Sequence, residues 1–204
     1  MTQQKLTRSE LKREAIIQGA KEAFQRYGVA DTSMDKISEV AQVSKRTIYN
    51  HFASKEELVT HIIKEIWANT ILSFEAPYDS SIDLKSQLIE FVQNQLSLMA
   101  DPKILEFTRV VVGYCLFRPD NFKKEIAEFF KQETAMIRWI KQAMADGKLK
   151  KTNPLIANEQ ILSLLHGQAF WPQLLHSEPP LNDEEKKQLA NQTVDMFLAY
   201  YQIS

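Results

Sequence analysis

The chain is short of the two residues that most often announce small-molecule chemistry. It has one cysteine and five glycines in 204 residues. A single cysteine, Cys115, excludes an intramolecular disulfide framework and fits a reducing compartment. Set inside the apolar run VVVGYCLF, it reads as a small buried hydrophobe rather than a nucleophile. The glycines, at 19, 28, 113, 147 and 167, never come closer than nine residues. Phosphate cradles of the G-x-G-x-x-G or P-loop kind need several glycines within a few positions, so they are excluded. Long apolar runs are missing too. The longest, Val110 to Phe117, is far too short to span a bilayer, and the polar opening Met1–Arg13 lacks the apolar centre of a secretory signal. A cytoplasmic location is expected. There is no G-x-S-x-G, no H-E-x-x-H and no i, i+4 pair among the histidines at 51, 61, 166 and 176. No catalytic residue, metal or cofactor is therefore expected, and the chain reads as a non-enzyme.

Hydrophobic residues make up 44% and charged residues 25%, the balance of a globular protein with a sizeable core. Net charge is only −1, but its distribution is uneven. Nine Lys/Arg against six Asp/Glu from Met1 to Ser54 leave +3, and 16 against 20 in the remainder leave −4. A basic N-terminal segment on an acidic body suggests a local electrostatic footprint for nucleic acid.

Helix signals run almost end to end, so the expected fold class is all-α. Thr7 with Glu10, Thr32 with Asp35 and Ser54 with Glu57 read as three capping pairs, and Ser44 as a further cap. They predict helices over 8–27, 34–41, 45–51 and 54–74. Beyond a loop at 75–81, helices are expected over 82–100, 102–117, 119–146, 153–175 and 182–202. Pro102, Pro119 and Pro154 sit at helix starts, and Pro172 should kink or end its helix. The expected division is a three-helix reader, 1–53, and a helical sensing and dimerisation domain, 54–204, with 54–74 as connector.

Two short helices joined by a three- or four-residue turn and braced by a longer one make a helix-turn-helix. In its second helix Ile48 and Phe52 point together toward the core. Arg46, Tyr49 and Asn50 share the opposite face, flanked by Lys45 and Thr47. No acid occurs from Ala41 to Lys55. A merely solvated face would mix charges; cations, a phenol, an amide and a hydroxyl are the groups that meet phosphates and base edges.

The stretch ADTSMDKISEVAQVSKRTIYNHFASKEEL, Ala30 to Leu58, resembles the DNA-binding domain of the TetR family, and AFQRYG extends the match back through the first helix. The C-terminal part, from Arg109 through Phe122 and from Gly147 to Leu175, is similar to the AefR-like subset. The resemblance implies that Thr32 or Ser33 holds a phosphate. It places Lys45, Arg46 and Thr47 in the major groove, Tyr49 and His51 near the backbone, and Lys55 on another phosphate. His51 reads equally well as a packing residue. Arg46 stands where the family often carries Gly. The resemblance further implies that the last two helices pair across a two-fold axis, so that two readers meet a palindromic operator.

In the C-terminal helices, Asn94, Phe107, Arg109, Tyr114, Trp139, His166, Gln168 and Trp171 are the candidate ligand-binding residues. Polar groups within apolar runs need partners, which a ligand can supply, although Arg109 could instead pair with Glu106. The expected dimer faces are Ile161, Leu164, Leu165 and Gln168, and Leu189, Thr193, Met196, Phe197 and Tyr200. The function expected is a dimeric transcriptional repressor released by a small, largely apolar effector. The alternative is a DNA-binding protein that docks a protein partner instead.

Overall fold

The computed structural model describes residues 7–117, 132–176 and 178–203, with the backbone only at 114–117 and 176. The expected helix start at Pro119, its stripe of Phe122, Ile126, Phe129 and Phe130, and the side chains of Tyr114, Cys115 and Phe117 lie outside the described residues. The protein is all-α. Among the described residues the sole β-type pairing is an isolated bridge between Leu149 and Gln202.

Helix α1, Arg8–Asp31, starts with the capping box expected of Thr7 and Glu10. It runs one turn past the expected end, interrupted at Gly28, whose φ of 76° lies in the region that favours glycine. Helices α2, Met34–Val40, and α3, Lys45–His51, follow. Ser33 caps α2 by accepting from Lys36 N, so the expected Thr32–Asp35 pair is displaced by one residue. Ser44 caps α3, accepting from Thr47 N. Helix α4, Lys55–Trp67, opens with Ser54 Oγ accepting from Glu57 N, while Glu57 accepts from Ala53 N. It gives way to a π-helical turn, Ala68–Leu72, rather than continuing as expected to Phe74.

Then come α5, Leu84–Met99, and α6, Pro102–Phe117. The expected continuous helix 119–146 is corrected near its middle. Residues 132–134 are non-helical, and Thr134 Oγ1 accepts from Ile137 N to start α7, Ala135–Ala145. Helix α8, Pro154–Leu165, is capped by Asn153 with proline in its first turn. The expected kink ahead of Pro172 is a π-helical turn, His166–Phe170, in which Trp171 N donates to His166 O. The wider turn re-pairs carbonyls beside a residue that has no N–H to give. Helices α9, Trp171–His176, and α10, Asp183–Tyr201, end the chain, the latter with an Asn182–Glu185 capping box.

The chain forms two compact units. The first is 1–67 with 106–131, and the second 68–105 with 132–204. This differs from the expected boundary at 53/54 for a simple reason. Leu58, Val59, Ile62 and Ile63 of α4, and Phe107 of α6, are buried in one cluster with Ile16, Phe24, Ile37, Ile48 and Phe52. The second unit has its own core, built from Leu88, Phe91 and Leu96 of α5, Trp139 and Ile140 of α7, Ile161 and Leu165 of α8, and Val194 and Phe197 of α10. Gln87 joins that core to the preceding loop. Its Oε1 accepts from Trp139 Nε1 at 2.9 Å and from Asp79 N at 3.0 Å, while Nε2 donates to Ile82 O at 2.9 Å.

Within the first unit α1 and α2 cross at Gly19. A Cβ there would lie 2.7 Å from Ala41 Cβ and 2.8 Å from the Ala41 backbone, which cannot step aside without moving the turn that follows. Gly19→Ala is therefore expected to lower stability by about 1–3 kcal/mol. A calorimetric melt of the intact protein checks this, and an unchanged midpoint would disprove the close crossing.

Candidate nucleic-acid interface

A seven-residue helix stays folded only if something holds its inner face. For α3 that is Ile48, fully buried, and Phe52, which ends the helix, with half-buried Val43 packed against the same cluster. Burial of two such side chains contributes about 1.5–3 kcal/mol each. The turn before α3 is tight. Val43 N donates to Ser38 O at 3.1 Å, and Gln42 takes a φ of 53°, which L-residues rarely adopt.

Anchoring one face presents the other. Lys45, Arg46, Tyr49 and Asn50 are all exposed, Tyr49 to 47%. Thr47 is half-buried, its hydroxyl 2.7 Å from Ser44 Oγ, so it supports the helix start as much as it faces outward. His51 is half-buried at the last turn. Ser33 is exposed at the start of α2, its hydroxyl already engaged as the cap. Lys45 is not isolated: its ammonium lies 2.7 Å from Asp35 of α2, whose hydrogen bond and negative charge raise its pKa. On α2 itself Lys36 pairs with Glu39 at 3.1 Å.

Two residues expected to meet phosphates have partners within the protein. Thr32 is buried, its hydroxyl donating to Gly28 O at 2.6 Å, so it closes α1 instead of facing solvent. Lys55 reaches inward. Its Nζ donates to Val29 O at 2.6 Å, Ala30 O at 3.1 Å and Thr32 O at 2.9 Å. The ammonium has three protons to give, and three carbonyls stand within hydrogen-bond reach of it. It ties the start of α4 to the α1–α2 turn.

A polar network missed by the sequence reading lies behind the reader. Arg13 Nη2 approaches His61 Nδ1 at 3.2 Å and stacks over the Phe52 ring at 5.1 Å. His61 Nε2 lies 3.5 Å from Glu65, which also takes Lys21 at 2.8 Å. Burial, then the Arg13 charge, holds the His61 pKa below its ordinary value, so the ring is neutral at pH 7 and Nδ1 accepts from Arg13. The one trace in the sequence is the i, i+4 spacing of His61 and Glu65.

The candidate ligand residues divide between the two units. Phe107 belongs to the core of the first unit. Arg109 is exposed there and lines, with Glu22, Gln25, Arg26, Glu106 and Val110, an open cleft of about 580 Å³. Trp139, expected to line a cavity, is 1% exposed with its N–H on Gln87 and its ring 6.3 Å from Phe91, which makes it core. Asn94 is half-buried, and its Nδ2 has no hydrogen-bond partner among the described residues. His166 is half-buried against Phe170, ring centroids 5.3 Å apart, at the start of the π-helical turn, and burial lowers its pKa. Gln168 and Trp171 are exposed. The Tyr114 side chain lies outside the described residues.

The residues of the expected dimer faces differ in burial. Ile161, Leu165, Leu189, Thr193 and Phe197 are interior to the second unit, and Leu164 is half-buried. Gln168, Met196 (60%) and Tyr200 (65%) are exposed, with Leu155, Ile156, Trp171, Leu175 and Ile203 also exposed on the α8–α10 helices and the chain end. Among the described residues no cluster of metal-ligating side chains occurs, and no helix is long and apolar enough to cross a membrane.

A short helix held on a buried anchor, turned behind a capped partner and presenting cations with an amide and a phenol, defines a helix-turn-helix DNA-binding regulator. The family comparisons agree at both ends of the chain. Residues 16–62 match the bacterial regulatory proteins of the tetR family, and residues 86–203 match the AefR-like transcriptional repressor C-terminal domain. The chain belongs to the TetR family of transcriptional regulators, which are not enzymes. A TetR family transcriptional regulator from Pseudomonas syringae pv. tomato str. DC3000 is 35% identical and superposes with a TM-score of 0.80, over 98% of this chain and 100% of that one. The HTH-type regulator YhgD of Bacillus subtilis (strain 168) is 25% identical over 85% of this chain and 89% of its own. The HTH-type regulator RutR of Escherichia coli O157:H7 is 24% identical over 70% of this chain, a match that spans 66% of RutR, just under two thirds.

Lys55→Ala removes three charge-assisted bonds to carbonyls. The expected result is a loss of about 1.5–3 kcal/mol in stability. If Lys55→Ala melts like wild type yet loses DNA affinity with a shallower salt dependence, the phosphate role returns.

Proposed function

We propose that the protein is a dimeric repressor that reads a palindromic operator and leaves it when a small, largely apolar effector binds the second unit. The observation that carries this reading is the exposed face of α3. Lys45, Arg46 and Asn50, exposed on that face, have the donors and acceptors that meet base edges, and Tyr49, Ser33 and His51 would meet phosphates. The AefR-like repressor match over most of the second unit supports repression. The exposed apolar side chains of Met196, Tyr200, Trp171 and Leu175 support pairing of two copies, since such a surface is costly in water. A two-fold pair sets two α3 helices on one DNA face and doubles the base readout.

For the effector, the supporting observations are Asn94 Nδ2, which has no hydrogen-bond partner among the described residues, and half-buried His166 beside Phe170. An effector with one or two polar groups on an apolar frame would satisfy them, and it acts by binding better to a conformation that fits the operator poorly. A second reading, docking of another protein, is favoured by the same exposed apolar face.

Purified protein mixed with its own fragmented genome at moderate salt should retain a few palindromic sites. Enrichment of none would sink the reading. On such a site Arg46→Ala is expected to lose about 1–3 kcal/mol of specific affinity, measured by anisotropy against a mismatched duplex. Equal affinities would remove Arg46 from base readout.

The pair of copies is tested separately. Tyr200→Asp with Met196→Asp should sediment as a monomer and lose operator affinity on the order of a hundredfold, because the two readers no longer share an effective concentration. A wild-type chain that already sediments as a monomer would instead support the docking reading.

A further inference from the structure

Resting on the reading of α3 as the recognition helix, we infer that Asp35 is a specificity-determining residue: it engages Lys45 and so withholds one cation from the phosphates of arbitrary DNA. The acid-free run from Ala41 to Lys55 suggests two cations at the reader. The structure supplies the missing acid from α2, ten residues before Lys45 and across the turn, with Nζ and carboxylate 2.7 Å apart. The side chains of both residues are well exposed, 60% and 59%, so the pair adds little to folding and its consequence falls on what approaches the surface. Its location is the point: Asp35 stands two residues after exposed Ser33, on the edge that a duplex meets when α3 enters the groove.

Non-specific binding is almost wholly the release of counterions by protein cations. A lysine paired with a carboxylate must give up that pair to meet a phosphate, and the carboxylate repels the approaching phosphate. Base-edge contacts from Arg46 and Asn50 do not depend on that pair, so Asp35 weakens binding to any sequence more than it weakens binding to the right one. Discrimination is the difference between those two affinities.

The test measures the full-length chain by anisotropy on two duplexes across a salt series: a site recovered from the genome, and a scrambled one of equal length. Asp35→Asn should raise affinity for the scrambled duplex on the order of eightfold at about 0.1 M salt and steepen its salt slope by about 0.9, the value of one added phosphate contact. Operator affinity should rise less, so the ratio falls. Lys45→Gln should cost more scrambled-duplex affinity in the Asp35→Asn background than alone. Glu39→Gln makes the same change in formal charge on the same helix, at the Lys36 pair, and should leave the slope unaltered. Asp35→Ser repeats the measurement if the amide disturbs the start of α2.

The inference is overturned if Asp35→Asn behaves like Glu39→Gln, if both duplexes gain by the same factor, or if Lys45→Gln costs the same in both backgrounds. Should no genomic site be recovered, the regulator reading fails by itself. The scrambled-duplex arm, with its Lys45 coupling, still decides whether Asp35 restrains that lysine.

Discussion

A helix of two turns is unstable in water, because nucleation costs more than so few hydrogen bonds return. Everything in the reader follows from how α3 escapes that limit. Ile48 and Phe52 are sunk into a core supplied by α1, α2 and α4, and the Ser44 cap satisfies an N–H that the short helix cannot. Because those anchors are four residues apart, they fix not only the helix but its rotation. Lys45, Arg46, Tyr49 and Asn50 face outward because the opposite face has nowhere else to go. The same core recruits α4 and Phe107, which is why the compact unit is larger than three helices.

Helix starts were the most legible part of the sequence, since a capping side chain and its target lie within three residues and their chemistry is local. Thr7, Ser44 and Ser54 cap as expected. Thr32 and Ser33 show the limit. Both are competent caps, and the choice between them depends on how α1 ends, where the Thr32 hydroxyl is already given to Gly28 O. The π-helical turns after Trp67 and Leu165 leave no periodic mark, because one extra residue in a turn shifts the stripe less than the natural scatter of apolar positions. Apolar residues on both sides of α8 and α10 hid the second difference. Periodicity finds a stripe but cannot say whether Phe197 or Tyr200 faces the protein's own core.

Charges were harder still, since a lysine's partner can come from anywhere. Lys55 and Lys45 look alike in sequence, each a cation at the start of a helix. One is spent on three carbonyls of the α1–α2 turn, the other on a carboxylate at the surface. The Arg13–His61–Glu65–Lys21 network joins α1 to α4 across more than forty residues and had no sequence signature beyond a single i, i+4 pair. Polar roles in this reader are therefore properties of the packed unit, not of the motif.

That distinction changes what a loss of DNA binding means here. Gly19, Gln42, Phe52 and Lys55 each control the placement of α3 through a close crossing, a strained turn, a buried ring and a clamp. Altering any of them displaces the reader as a body. The number of phosphates it neutralises then stays nearly the same on non-specific DNA, so affinity for the operator falls while the salt slope on random duplex does not move. Removing an outward cation does the reverse, changing the slope directly. Salt dependence thus separates residues that touch DNA from residues that aim those that do, a separation that neither affinity nor sequence position can make alone.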